Sequence, residues 1–319
     1  MRRLALLMLI LAVPAACSAA VAIDAVPAPA KAAPAATVEK TSTPGMAGTT
    51  VEEFKVHSAA MKRDIEVVVV LPPAYAKEAG KRFPVLYTLH GRGAPFRVFK
   101  DMTTVHKAIA RQPMLVVGFN ADRASWYFDA TKKADSKFDA FLLKELVPHI
   151  DKHYRTKAEP SQRGVTGFSM GGFGAFHYAI RANSLFGSAS SLSGAFEPLS
   201  VGWLKKDFVA LLGTPEENPR GYALLDLKSR LTAQSRKKRG FRVPLYIACG
   251  TEDGLLPQSR AMRDLAKKLG LKVEYAEAPG AHKFTYWKAA ATGAIDFHWR
   301  TFQPNYKPVD HSKPADQKP

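Results

Sequence analysis

Cysteine is nearly absent from this chain: Cys17 and Cys249 are the only two in 319 residues. A small disulfide-stapled scaffold is therefore excluded. Acidic residues are scarce as well. Twenty-eight Asp and Glu face 46 Lys and Arg, a formal net charge of +18. Past the N-terminus no apolar run is long enough to span a bilayer. No zinc-ligand spacing, helix-turn-helix or RNA-binding signature accompanies the basic charge, so specific nucleic-acid binding is not expected. The charge suits an anionic envelope or cell-wall surface instead, or is simply the surface of a basic soluble protein.

What is present begins with a targeting pattern. Arg2 and Arg3 precede the apolar run Leu4 to Val13, and Ala20-Val21-Ala22 offers an A-x-A cleavage site. Residues 1–22 read as a signal peptide, which predicts a periplasmic or secreted protein. The alternative of a buried N-terminal helix lacks polar positions at helical spacing. Pro14-Ala15-Ala16-Cys17 offers lipid anchoring through Cys17 as another route, although it lacks the Leu or Val of a lipobox three residues before the cysteine. Residues 23–50 are rich in Ala, Pro, Thr and Lys and read as a flexible linker, and residues 303–319 as a disordered tail.

Residues 51–302 read as one catalytic domain. Eight apolar runs predict strands: Val51 to His57, Ile65 to Leu71, Phe83 to Leu89, Met114 to Phe119, Gly164 to Phe168, Phe186 to Leu192, Val243 to Cys249 and Leu271 to Ala276. Continuous apolar strands suit a parallel sheet covered on both faces. Helical patterns lie between them over Ser136 to His153, Met170 to Arg181, Pro257 to Leu269 and Phe284 to Trp299. The expected architecture is a three-layer α/β domain with a mostly parallel eight-stranded sheet and helices on both faces. Residues 197–242, with Trp203, Phe208 and the basic run Arg236-Lys237-Lys238-Arg239, break the alternation. They form either a cap over the site or a surface excursion.

The chemistry is carried by Gly167-Phe168-Ser169-Met170-Gly171, a G-x-S-x-G between a predicted strand and a predicted helix. A strand turning that sharply into a helix strains the serine backbone, lifts its hydroxyl clear of the sheet and needs small neighbours two residues away on each side. A serine hydroxyl is inert without a base. Of the later histidines, only His282 lies in a loop directly after a predicted strand, where a base reaches over the sheet edge. His177 falls in the helix after Ser169, His298 in the last helix and His311 in the tail. The acid should follow the preceding strand: Asp253 is expected, with Glu252 as the alternative. The backbone N–H of Met170 should serve an oxyanion, joined by that of Arg92, or failing that Gly93, in the loop His90-Gly91-Arg92-Gly93-Ala94. His90 itself is expected to be structural, beneath that loop.

Together these residues resemble the esterase D-like family of α/β-hydrolases, which includes feruloyl and acetyl-xylan esterases, S-formylglutathione hydrolases and antigen 85-type mycolyltransferases. The resemblance runs from about Val51 to Phe302. It rests on Pro84-Val85-Leu86-Tyr87 before His90-Gly91, Ser125-Trp126-Tyr127, Glu145 to Asp151, Gly167 to Gly172, Ser193-Gly194, Gly250 with Asp253, and Gly280 with His282 before Tyr286-Trp287. It implies the α/β-hydrolase fold, a Ser–Asp/Glu–His triad and ester hydrolysis through an acyl-enzyme. Arg92 departs from the Gly or Leu common after that glycine, which would place a cation at the cleft mouth.

The expected function is hydrolysis of a small acyl or aryl ester, including esters of glycans, with no metal or organic cofactor. Trp126, Tyr127 and Trp203 are expected to line the substrate pocket. Two rival readings use the same residues. One is an acyltransferase in which an alcohol replaces water; the other is an envelope-binding protein that keeps the fold without catalysis.

Overall fold

The structure is a computed structural model that describes residues 40–237 and 240–311. The expected signal peptide, Cys17, most of the linker, Lys238, Arg239 and the end of the tail lie outside the described residues. Among the described residues, nine strands form one sheet in the order β1-β2-β3-β5-β4-β6-β7-β8-β9. They are β1 (Thr41–Pro44), β2 (Thr50–Ser58), β3 (Arg63–Leu71), β4 (Val85–Leu89), β5 (Leu115–Phe119), β6 (Arg163–Phe168), β7 (Ser188–Leu192), β8 (Leu245–Gly250) and β9 (Val273–Ala278). Strands β1 to β3 and the β3–β5 pair are antiparallel; all pairings from β5 to β9 are parallel. The fold is the α/β-hydrolase fold.

The apolar runs form central strands because both of their faces are covered. In β3, Ile65, Val67, Val69 and Leu71 enter one core, while Val68 and Val70 enter the other. Strand β5 divides the same way, with Leu115, Val117 and Phe119 on one side and Val116 on the opposite one. Each such buried side chain contributes about 2 kcal/mol of hydrophobic stabilisation. The helices Thr103–Arg111 and Phe284–Thr301 cover the second core through Val105, Ile109, Ala294 and Phe297. Met170–Arg181 and Leu256–Lys268 cover the first through Phe173, Phe176, Met262 and Ala266.

Several expectations are corrected. The sheet has nine strands, not eight, because Thr41–Pro44, inside the stretch read as linker, pairs with β2 from Thr41↔Glu53 to Pro44↔Thr50. Within the stretch read as a tail, Tyr306 Oη and His311 Nε2 bond the buried Glu274 carboxylate at 2.7 and 2.6 Å, so these residues pack on the domain. The helix expected over Ser136 to His153 is divided into Phe138–Ala140, a π-helical stretch Phe141–Leu146 and Val147–His153. Pro148 has no N–H to give the carbonyl four residues before it, so regular α-helical bonding is interrupted there. The 197–242 excursion contains the helices Lys205–Leu212, Pro219–Ala223 and Leu227–Ser235.

The chain order β4, β5, β6 places β5 and β6 on opposite sides of β4. Ligand clefts of open α/β sheets form at such a reversal, beyond the carboxyl ends of the strands. The loops after β4, β6, β8 and β9 carry Arg92, Ser169, Asp253 and His282.

Candidate active site

Ser169 follows the last residue of β6 and precedes the helix Met170–Arg181 with φ 55° and ψ −118°. A non-glycine residue with such backbone angles is strained, and the strain is held by close packing around the turn. A Cβ on Gly167 would lie 2.4 Å from the Gly171 carbonyl carbon and oxygen. One on Gly171 would lie 2.0 Å from the Leu89 carbonyl oxygen, and one on Gly172 would lie 2.4 Å from Ser191 Oγ. The glycines are therefore what lets helix, β4 and β7 close on the turn.

His282 lies in the loop between β9 and the helix Phe284–Thr301. Its Nε2 is 2.9 Å from Ser169 Oγ, and its Nδ1 is 3.1 and 2.9 Å from the two carboxylate oxygens of Asp253. The Asp253 side chain is fully buried and also accepts the Leu255 N–H at 2.8 Å. Burial alone would raise its pKa, but hydrogen bonds from His282, the Leu255 amide and Ser193 hold it below the ordinary aspartate value. An ionised carboxylate only accepts, so Nδ1 of His282 carries the proton and Nε2 is left to accept from the serine hydroxyl. Glu252, the alternative acid, is exposed, and its N–H bonds the Gly280 carbonyl. The ring of His282 also meets Trp287 edge-on, with centroids 4.9 Å apart, and Trp287 stacks on Phe168 at 4.4 Å.

Two backbone amides border the serine. Met170 is the first residue of its helix, where an N–H has no intrahelical acceptor. In the β4 loop, the Gly93 N–H is committed to the Arg123 carbonyl at 2.8 Å, whereas among the described residues that of Arg92 donates to no backbone carbonyl. His90 is buried below this loop. Its Nδ1–H donates to the Gly91 carbonyl at 2.9 Å, and its Nε2 accepts the Ala121 N–H at 3.1 Å. Burial lowers the His90 pKa and favours this neutral tautomer.

The expected pocket residues separate. Trp203 is 61% exposed and lies 5.2 Å from the Arg92 guanidinium. Trp126 and Tyr127 are not exposed pocket walls but buried supports, both at positive φ. Tyr127 Oη donates to the His90 carbonyl at 2.7 Å, and its ring fills the space a Gly174 side chain would need. Trp126 packs on Phe173 and Phe208 and donates Nε1–H to Asp207 at 3.3 Å. Nor is Arg92 a free cation: Asp207, which no sequence motif marks, binds it through two hydrogen bonds of 2.6 and 2.8 Å. The remaining histidines have other partners. His177 lies between Asp139 and Arg230, 2.9 and 3.0 Å away. His298 sits between Ser188 and Ser190 at 2.7 and 2.9 Å, and burial lowers its pKa to about 3.

A strained serine after a parallel strand, with an imidazole and a buried carboxylate in line, is the arrangement of the α/β-hydrolases. The esterase family model matches residues 58–297, and the chain belongs to that family. This is what the resemblance to esterase D-like enzymes implied. The chain is 30% identical to Esterase Rv1288 of Mycobacterium tuberculosis over 260 residues, which are 72% of this chain and 55% of that protein. It thus spans about half the length of that relative. Against an acetyl esterase of Caldicellulosiruptor saccharolyticus the identity is 22% over 262 residues, 77% of this chain and 96% of the relative. Among solved structures, an S-formylglutathione hydrolase from Agrobacterium tumefaciens superposes with a TM-score of 0.70 at 19% identity, covering 82% of this chain and 99% of that one. A ferulic acid esterase gives 0.64 at 23% identity, covering 79% and 99%.

Proposed function

We propose that the protein hydrolyses carboxylic esters through an acyl-enzyme on Ser169. The observation that carries the reading is the continuous line from Asp253 through His282 to Ser169, with contacts of 2.9 Å on each side of the imidazole. Ser169 Oγ attacks the ester carbonyl carbon while its proton passes to His282 Nε2. The negative oxygen that forms accepts hydrogen bonds from the N–H groups of Met170 and Arg92. Collapse expels the alcohol, which takes the proton from His282 and leaves the acyl group on Ser169. Water, deprotonated by His282, then attacks the acyl carbon and releases the acid. Asp253 remains ionised and stabilises the imidazolium in both steps. The substrate class is a small acyl or aryl ester, including esters of glycans. The acetyl esterase and ferulic acid esterase relatives support it by name, and the exposed Trp203 beside the β4 loop supplies an apolar face for a ring.

The test is turnover of nitrophenyl esters of graded acyl length, together with methyl ferulate, by the wild type and Ser169→Ala. The variant should lose about 10⁴-fold or more in kcat. A variant that keeps the wild-type rate would overturn the assignment.

A further inference from the structure

Asp207 lies outside the Ser–His–Asp line, yet it binds both Arg92 of the β4 loop and Trp126. It belongs to the helix Lys205–Leu212 of the 197–242 excursion and is 115 positions from Arg92. Oδ2 accepts from Arg92 Nε at 2.6 Å and Oδ1 from Nη2 at 2.8 Å, while Oδ2 also accepts from Trp126 Nε1. The pair is well shielded, with 7% of the Asp207 side chain and 18% of the Arg92 side chain exposed. Phe208, the next residue, packs on Trp126 with ring centroids 4.8 Å apart.

The backbone on either side of Arg92 is glycine, and each glycine is required. A Cβ on Gly91 would lie 2.7 Å from the Phe168 ring, and Gly93 has φ 71°. The peptide that carries the Arg92 N–H is held at its Gly91 carbonyl, which accepts from His90 Nδ1 at 2.9 Å and from the Ala94 N–H at 3.0 Å, while on the other side of Arg92 glycine leaves the chain without a side chain to pack. A two-point guanidinium–carboxylate contact is rigid and charge-assisted. It anchors the same peptide from the Arg92 side chain, adding a second fixed point to the hydrogen bonds on the Gly91 carbonyl. An oxyanion donor is effective only if it is already oriented when charge develops.

We infer that Asp207 is a positioning residue: through the Arg92 guanidinium it holds the Arg92 N–H toward the reacting carbonyl, so that the 197–242 excursion completes the oxyanion hole. Asp207 touches no substrate. The inference rests on the Ser169 reading above.

The experiment compares wild type, Asp207→Asn, Arg92→Lys and the double variant on nitrophenyl acetate. It also measures affinity for a trifluoromethyl ketone, whose tetrahedral adduct on Ser169 needs the same hole. Each single variant should lose about 10- to 100-fold in kcat, with KM changed by less than about threefold and ketone affinity falling in step with kcat. The double variant should lose no more than the worse single one, because both break the same contact. A folded Asp207→Asn enzyme with kcat and ketone affinity at wild-type values would overturn the inference. So would a fall in kcat with ketone affinity unchanged. If Asp207→Asn does not fold, Arg92→Lys, which keeps the charge and the backbone N–H, carries the same comparison. Ser169→Ala is run alongside. Should it turn over the ester, or the wild type fail to, the reading of the site falls and this inference falls with it.

Discussion

Trp287 holds the ring of His282 edge-on, with centroids 4.9 Å apart and planes 87° apart, while its own face lies on Phe168, the residue before Ser169. One indole thus packs against both the imidazole and the strand that ends at the serine. Small displacements of a reacting group cost up to about 100-fold in rate. Trp287→Ala should therefore lower kcat by about tenfold while leaving the triad residues intact, and Trp287→Phe should keep most of the rate. Steady-state kinetics of the two variants checks this; equal rates for Trp287→Ala and wild type would contradict it.

Gly171 is the tightest of the glycines around the turn. Adding a methyl group there puts Cβ 2.0 Å from a backbone oxygen of β4, which has no side-chain freedom to move aside. Overpacking of this kind costs about 3 kcal/mol or more. Gly202, by contrast, has no atom within 4 Å of where an added methyl group would sit, so Gly202→Ala should be close to neutral. Urea denaturation of the two alanine variants should show a large midpoint shift for the first and little for the second.

Glu274 on β9 accepts from Arg300, Tyr306 and His311. Burial would raise its pKa, but these hydrogen bonds and the Arg300 charge lower it to about 2. A carboxyl group with a depressed folded pKa stabilises the protein above its unfolded value and loses that contribution as pH falls. The stabilisation should be complete above the ordinary glutamate value of 4.5 and decline between there and about 2. Glu274→Gln should lower stability near neutral pH by about 3 kcal/mol, and the gap to wild type should shrink on acidification. Melting temperatures of both proteins between pH 3 and 7 test the sign. A gap that widens in acid would refute it.

Much of this is legible in the sequence, for reasons tied to particular residues. Strands such as Ile65 to Leu71 announce themselves because burial on both faces demands unbroken apolar runs. Ser169 and His282 can be read because a sharp strand-to-helix turn needs glycines at fixed spacing, and because a base must sit in a loop after a strand. Thr41–Pro44 carries no such signal: all four residues are exposed, so no apolar period marks the edge strand. The helix Thr103–Arg111 is absent from the expected elements although Val105, Ala108 and Ile109 recur at helical spacing. Aromatic character alone does not tell an exposed wall from a buried support, which is why Trp126 and Tyr127 fall on the wrong side. The Arg92–Asp207 pair joins residues more than a hundred positions apart, and no local pattern reports such a contact.

The central claim is that the hydroxyl of Ser169 is a nucleophile made reactive by His282. Reaction with a fluorophosphonate, followed by intact mass and peptide mapping, measures this directly. The account predicts one adduct, on the peptide containing Ser169, absent from Ser169→Ala and formed far more slowly by His282→Ala. An unlabelled wild-type protein, or an adduct that persists in Ser169→Ala, would contradict it.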